Sequence, residues 1–379
     1  MNQVCSVFQR CGGCHLLSKD YSEQLKIKEK LLLDSLSHYS NLSNLVPLSC
    51  VPSPRIYAYR NKVQLPVVPG IDGAKMGLYA RGSHELVPMD DCLVHSALAE
   101  SILKEAKKLL ISCNIQGYCE RTRKGDLRYL MIRTAEGTGE ALVTLISNGE
   151  GWDSIRNFAR MLMERCPQVV GVVENINKRR DNVILGRNHH LLEGRAHLIE
   201  RILDKKFRVL SNSFLQVNPF QAAQLYSAAI EWADLKADDV FIDAYCGVGT
   251  LSILASEHVK QVYGIECVEE AIECARNNAE LNQLDNCTFQ CGKSEHILPQ
   301  FTKADIILLN PPRKGCELSV LNAAVSCKPR SILYISCNPK SLSKDLSFLL
   351  TKGANIDRIQ TFDLFPHTLH VETLVQISF

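Results

Sequence analysis

From about residue 237 onward the chain alternates short β-rich runs with helical stretches, and this alternation restricts the fold more than any other feature. The runs are DVFIDAY (239–245), QVYGIE (261–266), CTFQC (287–291), ADIILLN (304–310) and RSILYIS (330–336). Near-continuous apolar strands separated by helices predict a parallel, doubly wound sheet buried on both faces, an α/β architecture. The end of the chain breaks the pattern. IDRIQTFDLF and TLHVETLVQIS are separated only by Pro366 and His367, so the sheet is expected to finish with an antiparallel pair.

Just upstream, SFLQVNPFQAAQLYSAAIEWADL opens a helix, with Asn218 as N-cap and Pro219 as first helical residue. Residues 1 to about 208 are less regular: a Cys-rich arm, a helix around SEQLKIKEKLLLDSLSHY, then strands such as EALVTLIS and VVGVVENI. A chain of 379 residues exceeds what one core usually organises. Two domains are expected, an α+β region over 1–208 and an α/β region over 209–379.

No apolar run approaches the ~18 residues a membrane span requires, and MNQVCSVFQRCGGC lacks the basic-then-apolar order of a signal peptide. A cytoplasmic protein without a membrane partner is expected, and with it sixteen cysteines that are reduced thiols or ligands rather than disulfides. Cys267, Cys274, Cys287, Cys316 and Cys327 sit singly among apolar residues and read as core. The net charge of +2 hides an asymmetry: residues 1–210 carry +8 and residues 211–379 carry −6. That split suits a first half facing a polyanion, although chance surface variation accounts for it equally well.

After DVFID comes AYCGVGTLSI, a glycine turn feeding a helix, and Glu266 ends the next run 19 residues beyond Gly247. Glycines at the first βα turn followed by a carboxylate about 20 residues on form a nucleoside site, with the carboxylate accepting the ribose hydroxyls. G-V-G-T is shorter than the dinucleotide fingerprint, so no pyrophosphate is implied. Asn310-Pro-Pro-Arg313 closes the fourth run as a stiff rim at the carboxyl edge of the sheet. Cys337 closes the fifth, with Asn338 and Pro339 opening a helix behind it, and a helix N-terminus favours a thiolate. Glu372 lies on the last run and can return to the same edge. His367, His370 and Glu372 also allow a metal reading, which strand geometry opposes because i and i+3 point to opposite faces.

SFLQVN, DAYCGVGT, NPPR, YISCNP and FPHTLHVETL, in this order, resemble the motif set of the uracil-C5 RNA methyltransferase family over essentially all of residues 211–379. The resemblance implies a Rossmann-like fold binding S-adenosyl-L-methionine (SAM) through Gln216, Tyr245, Glu266 and Asn310, with Cys337 as nucleophile and Glu372 as base. Some members have Asp at the position of Asn310 and Phe at that of Tyr245. Asn keeps an acceptor, and Tyr keeps the aromatic wall. The chemistry explains the pair: uracil carbon 5 is a poor nucleophile until a thiolate adds at carbon 6, and a base must then remove the carbon-5 proton.

Cys5, Cys11 and Cys14 form a C-x5-C-x2-C spacing that needs a fourth ligand, best supplied by Cys92, with Cys50 and Cys113 as alternatives. Thiolate softness suits zinc and iron-sulfur equally. Resemblance to the ribosomal-RNA members of the family implies a [4Fe-4S] cluster, and with it 23S rRNA as substrate, free or within a ribosome assembly intermediate. With the cysteine motif beginning at residue 5, the family's frequent N-terminal RNA-binding domain is expected to be missing and RNA grip to come from ERTRKGDLRYLMIR (120–133), through Arg121, Arg123, Lys124 and Arg128. NKRRDN (177–182) is a weaker candidate, and a monomer is expected. The rival readings are a tRNA uridine-C5 methyltransferase, an N-P-P-type amine methyltransferase with a structural Cys337, and an inactive iron-sulfur RNA-binding or redox-sensing protein.

Overall fold

The computed structural model describes residues 5–71, 73–149 and 153–379. The chain runs α1 (Tyr21–Leu36), β1 (Leu48–Val51), β2 (Lys62–Gly70), β3 (Gly73–Tyr79), β4 (Leu86–Pro88), α2 (Ala97–Ser112), β5 (Leu127–Thr134), β6 (Ala141–Ser147), α3 (Asp153–Arg165), β7 (Val169–Ile176), β8 (Asn188–Gly194), β9 (His197–Ile202) and β10 (Lys205–Leu210). It continues with α4 (Pro219–Ala233), β11 (Val240–Asp243), α5 (Thr250–Ser256), β12 (Gln261–Glu266), α6 (Glu269–Leu281), β13 (Cys287–Cys291), α7 (Ser294–Ile297), β14 (Ile306–Leu309), α8 (Leu318–Ser326), β15 (Ser331–Ser336), α9 (Pro339–Thr351), β16 (Asn355–Phe362) and β17 (Glu372–Ser378). Among the described residues no helix is long and apolar enough to cross a membrane.

One unit joins residues 16–55 and 202–207 to residues 213–379. Its described strands form an eight-stranded sheet in the order β1-β16-β17-β15-β14-β11-β12-β13. The five runs expected as parallel strands are β11 to β15, and all pair in parallel. Their side chains explain this: every residue of β14 and β15 is buried, as a strand covered on both faces requires. The antiparallel pair is present, but β17 inserts between β15 and β16 and is antiparallel to both. The first four residues of β17, Glu372 to Val375, are all buried, whereas β16 opens with exposed Asn355, Asp357 and Arg358, so β16 takes the outer place. The core packs Ile242, Ile307 and Ile332 of the sheet with Leu342 and Leu346 of α9 and Leu32 and Leu36 of α1.

The other unit comprises residues up to His15, 56–201 and 208–212. Its described strands form a seven-stranded sheet, β4-β3-β2-β5-β6-β7-β8, mixed because α3 crosses between the parallel strands β6 and β7. Ile102 and Leu109 of α2 and Phe158 and Leu162 of α3 pack on Leu130 and Val143. This is the α+β character expected of the first half.

The division is less simple than one break near residue 208. The last crossing falls between Asn212 and Ser213, but residues 16–55 belong with the C-terminal unit. The reason is physical: Leu32 and Leu36 have no exposure in its core, beyond 2%, and β1 adds to β16 as a parallel edge strand.

Candidate active site

Parallel strands β11, β12, β14 and β15 end at one edge of the sheet, where ligands of doubly wound folds bind. The antiparallel β17 starts at that edge. Asp243, Glu266, Asn310, Cys337 and Glu372 therefore gather from five different strands or strand ends.

A cleft at this edge is lined by Phe214, Tyr226, Asp243, Tyr245, Gly247 and Asn310, among others. Gly247 has φ +53°, and a Cβ there would meet nothing within 4 Å, so its backbone faces open space. Gly249 differs from expectation. At φ +83° its missing Cβ makes room for Ala275 and Phe289 at 3.1 Å, so it serves helix packing rather than ligand approach. Glu266 is half-exposed, with Oε1 accepting the Val268 N–H at 3.0 Å. Gln216 is buried, and its neighbours Phe214 and Leu215, not Gln216, line the cleft.

Asp243 escaped the sequence reading. It is 2% exposed, its Oδ2 accepts the Ser252 hydroxyl at 2.8 Å and its Oδ1 the Tyr245 N–H at 3.3 Å. Burial, with the nearby Glu266 charge, pushes its pKa up to about 7. A buried carboxyl on a cleft wall is suited to a cationic ligand, which would restore its charged form. The available signal was an acid ending an otherwise apolar strand directly ahead of a glycine turn.

Cys337 and Glu372 each stand one residue beyond the last pair of the β15–β17 ladder, Ser336–Thr373, and the thiol feels the Glu372 charge. Asn338 caps α9 by accepting the Lys340 N–H at 3.2 Å, while its Nδ2 donates to the Arg313 carbonyl at 2.8 Å. The cap thus ties the NPPR rim to the cysteine turn. From that rim the Arg313 guanidinium favours ionisation of the Cys337 thiol. Asp345 of α9 braces the same loop, accepting the Tyr334 hydroxyl at 2.6 Å and the Cys316 N–H at 2.8 Å.

The thiol does not rest as a thiolate, which corrects the expectation drawn from the helix N-terminus. Burial first, then the Glu372 carboxylate, raise the Cys337 pKa, and Arg313 and the cysteine's own N–H offset this only in part. Glu372 is 2% exposed, and burial pushes its pKa up to about 8. Tyr226 feels both Glu372 and Asp243, so one tyrosine connects the carboxyl to the cleft. Both groups start protonated near neutrality, and the chemistry expected of them needs both deprotonated. Single-turnover methylation should therefore rise with pH from about 6.5 and keep rising past about 9, because the thiol still ionises after Glu372 has done so; a rate falling over that range would contradict these roles.

The segment carrying Glu372 is held from α1. Gln24, Lys28, Leu32 and Leu36 form its buried stripe, the first two polar. The Lys28 ammonium pairs with Asp363 with neither side chain exposed, and also donates to the Phe365 carbonyl at 2.9 Å. Tyr21 donates to Asp363 Oδ2 at 2.9 Å. Gln24 Oε1 accepts the His367 N–H at 2.9 Å, and the His367 carbonyl accepts the Leu16 N–H at 2.9 Å. His367 is buried at φ +68°, and His370 packs edge-on against Phe365. Lys28→Met should destabilise the protein by about 3–5 kcal/mol by stranding a buried carboxylate. Adding Asp363→Leu should recover most of that loss in chemical denaturation.

The chain matches the family described as tRNA (Uracil-5-)-methyltransferase over residues 136–378. An RNA methyltransferase of Clostridium acetobutylicum, called uncharacterized, is 39% identical over 381 residues, spanning 99% of this chain and 83% of the relative. A Bacillus cereus protein of the same description is 36% identical over 378 residues, at 99% and 82% coverage. The chain belongs to the uracil-C5 RNA methyltransferase family. The crystal structure of Pyrococcus abyssi tRNA (uracil-54, C5)-methyltransferase in complex with S-adenosyl-L-homocysteine matches with a TM-score of 0.78 at 27% identity, covering 97% of this chain and 86% of that one. The protein is a SAM-dependent RNA methyltransferase with the Rossmann-like fold expected of it.

Two further sets of residues lie in the seven-stranded unit of this methyltransferase. Cys5, Cys11, Cys14 and Cys92 are half-buried. The Cys14 thiol is pushed up to about 12 by burial and then by Cys92, Cys11 and Cys5, and Cys11 feels Cys92 and Cys5 in turn. Gly13 donates its N–H to Cys11 Sγ at 3.3 Å. Cys113 instead contacts Met161 Sδ at 3.9 Å, and Cys50 packs with the C-terminal unit. Among the described residues no three His, Cys, Asp or Glu side chains stand at metal-ligand separation. The four thiols nonetheless fit a soft cation in kind: their neighbours disfavour ionisation of Cys11 and Cys14, whereas His95 holds the Cys92 thiol below its ordinary value.

Arg121, Arg123 and Lys124 are exposed on the turn before β5. Arg128 departs from its expected role as a phosphate contact. It is 8% exposed, and its guanidinium donates to the carbonyls of Asn177 and Arg179 at 2.7 and 2.8 Å and lies over the Tyr118 ring.

Proposed function

We propose that this enzyme forms 5-methyluridine in 23S rRNA through a covalent Cys337 adduct, with Glu372 as the base that resolves it. The observation that carries the reading is the position of Cys337 and Glu372, each one residue beyond the Ser336–Thr373 pair of adjacent antiparallel strands, with the thiol feeling both Glu372 and Arg313. The Cys337 thiolate adds to carbon 6 of the uracil, and the electrons of the ring double bond move onto carbon 5 and its carbonyl. Bound SAM supplies the electrophilic methyl group that carbon 5 takes. Glu372 then accepts the carbon-5 proton, the double bond re-forms, and the thiolate leaves. Arg313 favours the thiolate both before addition and on departure. Tyr245, Gly247 and Asn310 line the cofactor cleft, Glu266 meets the ribose, and Gln216 anchors the segment that presents Phe214 and Leu215.

Cys5, Cys11, Cys14 and Cys92 are the residues that would hold a [4Fe-4S] cluster, supported by their thiol chemistry and by the charge coupling of Cys14 to the other three. Protein isolated without oxygen should be brown and contain iron and sulfide; colourless protein with stoichiometric zinc would reassign the site. Arg121, Arg123 and Lys124 contact RNA phosphates. Transfer RNA is the second reading, favoured by the family description and by the tRNA methyltransferase that matches in structure. Mapping 5-methyluridine in 23S rRNA and tRNA with and without the protein decides between them: loss of a 23S site supports the proposal, and loss of a tRNA site alone moves the substrate.

A further inference from the structure

The seven-stranded unit holds a cleft of about 180 Å³ built from chemistry that the methylation site does not use. The Tyr79 and His84 rings are stacked with centroids 5.0 Å apart and planes 11° from parallel. Tyr79 shares a hydrogen bond with the Tyr129 hydroxyl, and His84 Nδ1 lies 2.7 Å from Glu120 Oε2. Val183 lines the same cleft although 48% exposed, and the fixed guanidinium of Arg128 forms part of its lining. Flat aromatic faces left at a surface are stacking platforms, and every nucleobase has a π-face to match.

The cleft is continuous with the basic turn, because Glu120 belongs to both. That turn is pinned rather than free. Arg123 donates its N–H to the Cys119 carbonyl at 2.7 Å, and Cys119 donates to the Lys124 carbonyl at 2.8 Å. Arg123 itself sits at φ +60°, and Gly125 follows at φ +112°, where a Cβ would fall 2.1 Å from the Gly117 oxygen. Arg121, Arg123 and Lys124 are therefore carried by a backbone of fixed shape beside the aromatic pair. A stacking face, an acceptor at its edge and adjacent cations complement the base, the base edge and the phosphates of one nucleotide in turn.

We propose that this cleft takes an unpaired base of the RNA substrate bearing an exocyclic amino group, stacked on the Tyr79–His84 pair, with its flanking phosphates on Arg121, Arg123 and Lys124. The inference rests on the reading of the chain as an RNA uridine methyltransferase and adds a second nucleotide to it. Glu120 selects the base: an ionised carboxylate only accepts hydrogen bonds, which suits the amino group of cytosine or adenine and opposes the carbonyl groups of uracil. One nucleotide is then modified at Cys337, and a different one registers the strand.

The test uses the full chain and fluorescein-labelled oligo(C), which offers no uracil to the catalytic pocket, with oligo(U) in parallel. His84→Ala and Glu120→Gln should each weaken oligo(C) binding by roughly tenfold, the scale of one lost stacking or edge contact. They should change oligo(U) binding little and raise KM for RNA methylation with kcat preserved. His84→Phe, which keeps the ring, should retain oligo(C) affinity and so report that the fold is intact. Unchanged oligo(C) affinity and KM in His84→Ala would overturn the site. Equal losses for oligo(U) and oligo(C) in Glu120→Gln would overturn the amino-base assignment. Should wild-type protein methylate no RNA, the oligo(C) arm still reads the cleft by itself, so the two readings fail separately.

Discussion

Cys337→Ala should abolish methyl transfer to RNA, a loss on the order of 10⁴-fold or more, the scale seen when an activated nucleophile is removed from a concerted site. The substitution removes one half-buried sulfur at a strand end and leaves the Asn338 cap, the Arg313 carbonyl contact and the Asp345 brace in place. Fold and cofactor affinity should therefore persist, and calorimetric titration with SAM alongside transfer of labelled methyl separates the two. The magnitude follows from the reaction itself. Without addition at carbon 6, carbon 5 has little electron density to offer the sulfonium. Activity within tenfold of wild type would sink the covalent route and leave an N-P-P-type amine methyltransferase as the reading.

Glu372→Gln should have the opposite signature: one methyl is transferred, and the protein then stays bonded to the RNA. Glutamine occupies the space of the neutral acid but cannot take the carbon-5 proton, so a species stable to denaturants should accumulate on gels. The same substitution should stabilise the free protein. Glu372 has a folded pKa of about 8 against 4.5 for an ordinary glutamate, so the folded state prefers the neutral acid. Its contribution to stability is fully present below pH 4.5 and declines as pH rises toward 8, by about 1.4 kcal/mol per unit. At pH 7 Glu372→Gln should thus gain up to about 3 kcal/mol, seen as a Tm several degrees higher, and gain nothing near pH 4. Freely turning over enzyme would remove Glu372 from the mechanism. An equal Tm gain at both pH values would show that burial of its charge is not the cost.

Much of this was legible in the sequence where local pattern and global environment agree. β14 and β15 read as strands because ADIILLN and RSILYIS are apolar on both faces, and they are buried on both. The starts of α4 and α9 were visible as Asn-Pro pairs, and both asparagines cap as expected. Cys337 stood out because a thiol between a buried strand and a helix cap lies at the ligand edge of such a sheet. What escaped depends on contacts distant along the chain. Gln24 and Lys28 look like the solvent face of α1 until the segment 363–367 supplies their partners. Arg313 read as part of a stiff rim, since its approach to Cys337 is set by the Asn338 bond between loops. Arg128 read as a surface cation because nothing local indicates that the carbonyls of Asn177 and Arg179 meet it. Insertion of β17 between β15 and β16 is a question of register across the sheet, on which the short Pro366-His367 connection is silent.

The edge strand β1 completes a sheet whose other members lie hundreds of residues later: Leu48 pairs with Gln360 and Val51 with Phe362. During synthesis the first part of this unit emerges long before the partner that receives it, and the helix ahead of it waits likewise for Asp363. Contacts this distant along the chain form more slowly than local ones. The C-terminal half expressed by itself should accordingly expose the flank of β16 and self-associate, and an added peptide spanning residues 16–55 should restore a monodisperse species.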